Sequence, residues 1–546
     1  MKPSQGKQNR AEVNGAVTQI YSLKPLAVPE LVGATNGQLP VVALVLCHGM
    51  GQQVRHETLA EAANNLHHSR AEKAVVRYVQ FADPDRPGKG DPLLPRAEIE
   101  VEVPSREGQP AARQFVHVYE VYWAPLTEGM IGLTDVVRFL TSAGVQGLRY
   151  ARNQFPRWLF GKEESLDVKP NTFWQLAGLL ALVLSLVLIN TVMTLVLGEN
   201  LFGTNASRTA PPELINRLTT CLTVLLVAGG FVYLSIRRCN KQQRKPTQQP
   251  GAVRWAWVFL GLLCLLLVAS AGFMGWSYVA LHRAAAQPDT HEPWLSGRSV
   301  WVVLVWAAAV TVSWWCRGFL VQYLGDVAIY TDAYKVDKYY TIRTRIRRLA
   351  QRTVEAVYGA RVEGAAGPFY YQRVVMAAHS LGSLVAYDAL NAILLADEAA
   401  GGGLRVPART GALVTYGSPL DKTTFLFHAK SQKTAIYTAL DSSRQPLVWD
   451  AAARRAVQWV NLHSTADIIS GALDYFDSPA SRAAGTPPVL NCPDPDAFTP
   501  VYAHTQYWNG WVLSKALRLA LSGHTISVGD LALRDAEANP LPSAGA

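Results

Sequence analysis

The sequence predicts a mixed α/β protein, a mostly parallel sheet with helices on both faces, interrupted by four membrane-spanning helices. Three observations predict it. Residues 373–390, RVVMAAHSLGSLVAYDAL, read as a buried strand, a tight turn around Ser380 and a helix. Residues 41–46, VVALVL, give a second buried-strand pattern that stops at Cys47-His48-Gly49-Met50-Gly51-Gln52. Between these two lie four apolar runs free of acidic and basic side chains, most of them long enough to cross a bilayer.

Composition narrows the classes. With 546 residues the chain has room for a sizeable core, and 49% hydrophobic against 17% charged residues is an apolar balance that the middle of the chain explains. The formal charge of +10 is carried by basic residues clustered beside the apolar runs rather than in a nucleic-acid recognition motif. That points to an anionic membrane surface as partner and away from nucleic acid. The six cysteines show no disulfide or zinc spacing. MKPSQGKQNRAEVNG has no apolar core of the kind a cleavable signal peptide needs, so a reducing, cytoplasmic setting is expected for the polar parts.

Taken in order, residues 1–35 are polar or mixed and are expected to be a loose segment. The first part of the α/β domain spans 36–172. After the strand at 41–46, residues 56–69 have a helical pattern, 75–81, 98–103 and 115–123 read as strands, and PDRPGKGDPLLPR at 84–96 reads as a loop. The membrane insertion spans 173–320, with apolar runs at 173–197, 218–236, 256–281 and 300–315. Tryptophans 174, 257, 276, 301, 314 and 315 sit near run ends, where amphipathic rings prefer the interface. The loop after the second run carries Arg237, Arg238, Lys241, Arg244, Lys245 and Arg254 with no acid, whereas the first and third loops mix signs. By the positive-inside rule the second loop is cytoplasmic, and an even number of spans puts both ends there too.

The second part of the domain spans 321–527. A largely helical, basic stretch at 325–358, with Arg343, Arg345, Arg347 and Arg348, reads as a solvated helix face and leads to the turn at Ser380. Strands at 412–416 and 457–462 follow, and a helix with apolar periodicity comes after Ala503-His504-Thr505-Gln506-Tyr507-Trp508. Residues 528–546 are expected to be a loose tail.

The chemistry lies at the ends of these strands. Ala378 and Gly382, two before and two after Ser380, are small, as a sharp strand-to-helix turn demands; this is a nucleophile elbow. Serine is a weak nucleophile at neutral pH and needs a histidine to take its proton, and the histidine needs an acid to fix its tautomer. The order of turn at His48-Gly49, serine, acid and histidine is that of an α/β-hydrolase fold. His504, late and just before a helix, is the candidate base, with His463 competing. Asp467, just past a strand end, is the candidate acid, with Asp421, Asp474 and Asp477 as alternatives. The N–H of Leu381 and one from Gly49 or Met50 would face the developing oxyanion.

Seven segments, HGMGQQVRHETL, YEVYWAPL, GDVAIYTDAY, AHSLGSLVAYD, YGSPLD, NLHSTADII and AHTQYW, resemble the DDHD-domain intracellular phospholipases and, more distantly, the class 3 lipases. The resemblance covers the parts outside the membrane insertion, which is foreign to the family, and the aspartate of STADII lacks the family's following proline. It implies Ser380, Asp467 and His504 as the triad, and intracellular hydrolysis of membrane-lipid esters. No cofactor or metal is called for. An acyl-thioesterase or general esterase would use the same triad. From another class, a membrane interaction or toxin-like protein could carry the fold in inactive form.

Overall fold

The computed structural model describes residues 8–13, 16–22, 41–50, 54–66, 75–81, 94–104, 112–128, 155–166, 170–202, 212–242, 250–284, 297–331, 337–360, 368–424, 435–477, 488–500 and 502–532, with a few positions between 130 and 142. The strands are β1 (Gln8–Val13), β2 (Ala16–Ser22), β3 (Val42–Cys47), β4 (Val75–Phe81), β5 (Leu94–Val103), β6 (Ala112–Val121), β7 (Phe155–Leu159), β8 (Lys162–Leu166), β9 (Arg373–His379), β10 (Thr410–Tyr416), β11 (Trp459–His463) and β12 (Leu490–Pro493). All but β7 and β8, which pair with each other, form one sheet in the order β1-β2-β4-β5-β6-β3-β9-β10-β11-β12. The run from β6 to β12 is parallel throughout, and the run from β1 to β6 is antiparallel. The chain is therefore α/β.

The main helices are α1 (Glu57–Leu66), α2 (Pro170–Phe202), α3 (Pro212–Gln242), α4 (Pro250–Ala284), α5 (Gly297–Thr331), α6 (Asp337–Gly359), α7 (Gly382–Ala399) and α8 (Trp511–Ser522). Strand β3 is buried along its whole length because both sheet faces are covered, which is why it reads as an unbroken apolar run. Its alternate residues divide between two cores. Ala43, Val45 and Cys47 join Ile342 and Ile346 of α6 and Leu384 and Val385 of α7, while Val42, Leu44 and Leu46 join Leu59 of α1 and Leu513 and Leu517 of α8.

Helices α2, α3 and α4 contain stretches long and apolar enough to cross a membrane, at Leu180–Leu197, Glu213–Cys239 and Val253–Ala280, with mean hydropathies of 2.5, 1.9 and 2.4. The fourth apolar run, Val300–Trp315 of α5, is shorter. These helices share a core of their own, including Ile189, Met193, Leu218, Met274 and Trp306, and turn Val227, Leu265, Val268, Trp301 and Trp314 outward. Among the described residues, several contacts tie them to the sheet domain, the following among them. Val183 of α2 enters the core beside α6 and α7. The Tyr330 hydroxyl of α5 donates to Asp388 of α7 over 2.7 Å. Tyr502 packs against Val232, Ile236 and Cys239 of α3 and Ala256 of α4.

Several expectations are corrected. The segment 1–35 is not wholly loose, since β1 and β2 form a hairpin on the sheet edge through the β2–β4 pairing; residues 23–35 lie outside the described residues. The loop at 84–96 ends earlier, because Leu94, Pro95 and Arg96 pair with Val79, Tyr78 and Arg77, and the Arg96 guanidinium is held by Glu98. Strands β7, β8 and β12 were not foreseen. The helices that carry the apolar runs extend from Pro170 to Thr331, while their apolar stretches, Leu180 to Trp315, lie within the expected 173–320. The tail begins with a short helix, Val528–Ala532, where Asp530 accepts from the Ser527 N–H over 2.8 Å; residues 533–546 lie outside the described residues.

Candidate active site

At the C-terminal end of β9 the chain turns at Ser380, whose φ of 52° lies in the left-handed region that non-glycine residues rarely adopt. The Ser380 N–H donates to the Tyr416 carbonyl at the end of β10 over 3.0 Å, and its carbonyl accepts from the Ser383 N–H over 2.9 Å. Strand and helix thus fix the turn from both sides. Gly382 lies so close to the strand–loop junction of β3 that a Cβ there would stand 2.3 Å from the His48 carbonyl oxygen. A Cβ on Gly49 would come within 3.0 Å of the Ser380 Cβ. The His48-Gly49 turn and the serine turn are therefore in backbone contact.

Three side chains expected to act together do meet. The Ser380 Oγ lies 2.8 Å from His504 Nε2, and His504 Nδ1 lies 2.9 Å from Asp467 Oδ2. An ionised Asp467 can only accept, so Nδ1 carries the proton and Nε2 offers its lone pair to the serine hydroxyl. Asp467 also accepts from the Tyr507 hydroxyl over 3.0 Å and the Ile469 N–H over 2.9 Å. Burial opposes its charge, but the adjacent His504 and hydrogen bonds from His504, the Ile469 N–H and Ser470 outweigh burial and hold the carboxyl at about 2.

The supports of each member can be traced. Asp467 sits in the loop after β11, where Ser464 Oγ accepts the Ala466 N–H over 3.0 Å and Asn461 Nδ2 donates to the Gly471 carbonyl over 3.0 Å. The His504 turn is anchored by Gln506, whose Oε1 accepts the Phe498 and Thr499 N–H groups over 3.0 Å each. From the serine turn, His379 Nε2–H donates to the His504 carbonyl over 2.7 Å. Burial, reinforced by neighbouring His504, pushes His379 down to about 3, so it is a neutral donor. His48 is buried likewise and pushed down to about 4; its Nε2 accepts the Trp123 N–H over 3.0 Å and its ring stacks on Trp123. These bonds set the entry angle of the glycine turn.

The alternatives sit elsewhere. Asp421 accepts the Asp474 and Tyr475 N–H groups over 3.2 and 3.3 Å, tying the β10 end to the loop after β11. Asp477 is buried in that loop as well. His463 gives its carbonyl to the Asp494 N–H over 2.8 Å. Leu381 begins the elbow helix with helical φ and ψ, and Met50 is buried in the core that also holds Leu381. Among the described residues, no cluster of three or more metal-ligating side chains occurs.

Sequence reasoning missed Tyr507, His379 and Trp123 as supports. Tyr507 and His379 lie inside quoted segments, but their partners are 40 and 125 residues away, and no local pattern marks such pairs. Ser380 is fully covered, while the His504 side chain keeps 11% of its surface exposed, so the imidazole forms the open edge of the site. Comparison of the chain with family models, curated proteins and solved structures finds no match.

Proposed function

We propose that this is a membrane-integrated serine hydrolase of the α/β-hydrolase type that cleaves acyl esters of membrane lipids. The observation that carries the reading is the unbroken chain Asp467–His504–Ser380, with both hydrogen bonds under 3 Å. In it, His504 Nε2 takes the Ser380 proton as Oγ attacks the ester carbonyl carbon. The carbonyl oxygen gains the charge and faces the N–H of Leu381 and one from Gly49 or Met50. His504 then returns the proton to the departing alkoxide, leaving an acyl-serine. Water, deprotonated by the same imidazole, releases the acid and restores the hydroxyl.

The lipid assignment rests on position. His504, the open edge of the site, is two residues from Tyr502, which packs on α3 and α4 beside Arg237, Arg238 and Arg254. With α5 counted as the fourth span and the basic α3–α4 loop inside, the sheet domain faces the cytoplasmic leaflet. A lipid that reaches Ser380 laterally keeps its chains out of water, avoiding about 0.8 kcal/mol per exposed methylene.

The test is labelling by a fluorophosphonate and turnover in nanodiscs. The wild-type chain should be labelled and should hydrolyse phospholipid or acylglycerol esters well ahead of short soluble esters, and Ser380→Ala should abolish both without loss of folding. Labelling that survives in Ser380→Ala sinks the serine assignment. Preference for short esters or thioesters moves the substrate to a general esterase or thioesterase.

A further inference from the structure

Two donors converge on one oxygen of Asp467. Its Oδ2 faces His504 Nδ1 over 2.9 Å and also accepts from the Tyr507 hydroxyl over 3.0 Å, while Oδ1 is held separately by the Ile469 N–H over 2.9 Å. Both donors to Oδ2 come from the same stretch of chain. His504 lies in the turn Ala503–Gln506, and Tyr507 opens the turn that follows, Tyr507–Asn509. Three residues apart, the two side chains share a face of that stretch and reach the carboxylate together.

Packing places the Tyr507 ring. It is fully buried in the core that holds Val414, Leu462 and Val512. At the end of β10, Gly417 has a φ of 60°, and a Cβ there would stand 3.1 Å from Tyr507 Cε2, so glycine leaves room for the ring. Burial and the charge of Asp467 push the phenol far above its ordinary value, so it stays protonated and can donate. Ser470 completes the group. Its Oγ lies 2.9 Å from the Tyr507 hydroxyl oxygen, and because the Tyr507 proton points at Asp467, Ser470 approaches as a donor, toward the phenol oxygen and the carboxylate beyond it.

A buried tyrosine hydroxyl needs a partner wherever it lies, and a backbone carbonyl would serve stability equally well. The acceptor here is instead the oxygen that orients His504. We infer that Tyr507 is a positioning residue of the proposed hydrolysis, acting on Ser380 through Asp467 and His504. Held by Ile469 at one oxygen and by Tyr507 at the other, the carboxylate cannot rotate about its Cβ–Cγ bond, and Oδ2 stays on Nδ1. The Tyr507 proton also competes for the lone pairs of Oδ2. When Nε2 takes the serine proton, the Nδ1 proton therefore remains on the imidazole, and an ion pair faces the developing oxyanion.

This rests on the hydrolase reading of the site. The experiment is a double-mutant cycle on the full chain in nanodiscs, read as the rate of fluorophosphonate labelling and, with phospholipid, as kcat and KM per labelled site. Tyr507→Phe keeps the ring and removes one hydroxyl. It should slow labelling by about 10–100-fold and lower kcat alike, with KM within about twofold of wild type. In an Asp467→Ala background the same change should cost less than about threefold, since the carboxylate on which Tyr507 acts is gone. A hydroxyl that only stabilises the fold costs the same in both backgrounds; that result overturns the inference, as does a wild-type labelling rate in Tyr507→Phe. Ser470→Ala leaves Tyr507 in place and should slow labelling by about three- to tenfold. If Tyr507→Phe does not fold, Ser470→Ala carries the test, and an unchanged rate in it overturns the inference. A wild-type chain that is never labelled, or labelling that survives Ser380→Ala, sinks the hydrolase reading and this inference with it, whereas equal costs in a labelled chain sink this inference alone.

Discussion

Asp467 and Asp421 are both buried aspartates past strand ends, but their partners differ in kind. Asp467 bonds an imidazole; Asp421 bonds two backbone N–H groups. Asp467→Asn should therefore cut turnover by about 10³–10⁴, because an amide no longer fixes the tautomer, while Asp421→Asn should leave turnover within about tenfold. Initial rates of the two variants at equal labelled protein decide it, and the reverse ranking moves the acid to Asp421. His379 offers a test in pH. Its folded value is pushed down from 6.5 to about 3, so between those limits the unfolded chain binds a proton that the folded chain refuses, and stability rises with pH. Glu120 and Asp494, pushed up by burial to about 7, act with opposite sign between their unfolded values near 4 and pH 7. The total pH profile thus mixes the two, but the difference between wild type and His379→Gln isolates one group. The variant's slope of unfolding free energy against pH should be about one proton smaller between about pH 3 and 6.5. Equal slopes would mean that His379 is charged in the fold. What was legible at this scale was chemistry by type and order: a serine between small residues, an aspartate past a strand, a late histidine. The bond from His379 to the His504 carbonyl was not, because it depends on two turns meeting in space.

Elements whose residues answer to one environment were read well. Strand β3 and the stretch from β9 to α7 are buried throughout, so their composition states their fate. The hairpin β1–β2 is not legible because QNRAEV and AVTQIYS show little apolar alternation; an edge strand is held by backbone pairing, which side chains do not announce. The helix Ala435–Ser443 is illegible for a different reason, its apolar residues Ile436 and Leu440 facing away from the protein. The junction of β3 with the elbow is the tightest place in the fold. Gly382→Ala would put a methyl 2.3 Å from one backbone carbonyl oxygen and 2.4 Å from another, neither of which can swing aside. We expect it to destabilise the chain by at least about 1–3 kcal/mol and to abolish fluorophosphonate labelling by parting the serine turn from the glycine turn. Thermal unfolding followed by size-exclusion, with labelling on the folded fraction, measures both; a stable, labelled Gly382→Ala protein would contradict the packing described.

At the scale of the molecule, the proposed direction in the membrane rests on the charge asymmetry of the loops. A cysteine near Gln243, in the basic loop between α3 and α4, should be protected from an impermeant thiol reagent in intact cells, and one near Thr204 should be modified. Modification near Gln243 would place the sheet domain outside and end the intracellular reading. How many helices are long and apolar enough to cross a membrane is less legible than the apolar runs themselves, since α5 is one continuous helix whose apolar stretch, Val300–Trp315, is shorter than the others. The sheet itself has an implication for biosynthesis. Its central strand β3 is flanked on one side by β6 and on the other by β9, which is made only after all of α2 to α5. More than three hundred residues separate Cys47 from Arg373, so at about 5–20 residues per second the open edge of β3 waits tens of seconds on the ribosome for its partner. During that wait a fully buried strand has an unpaired edge while α2 to α5 are being made and, on the proposed reading, inserted into the bilayer. The nascent chain must therefore be shielded until β9 arrives, and the sheet can close only after α2 to α5 have been synthesised.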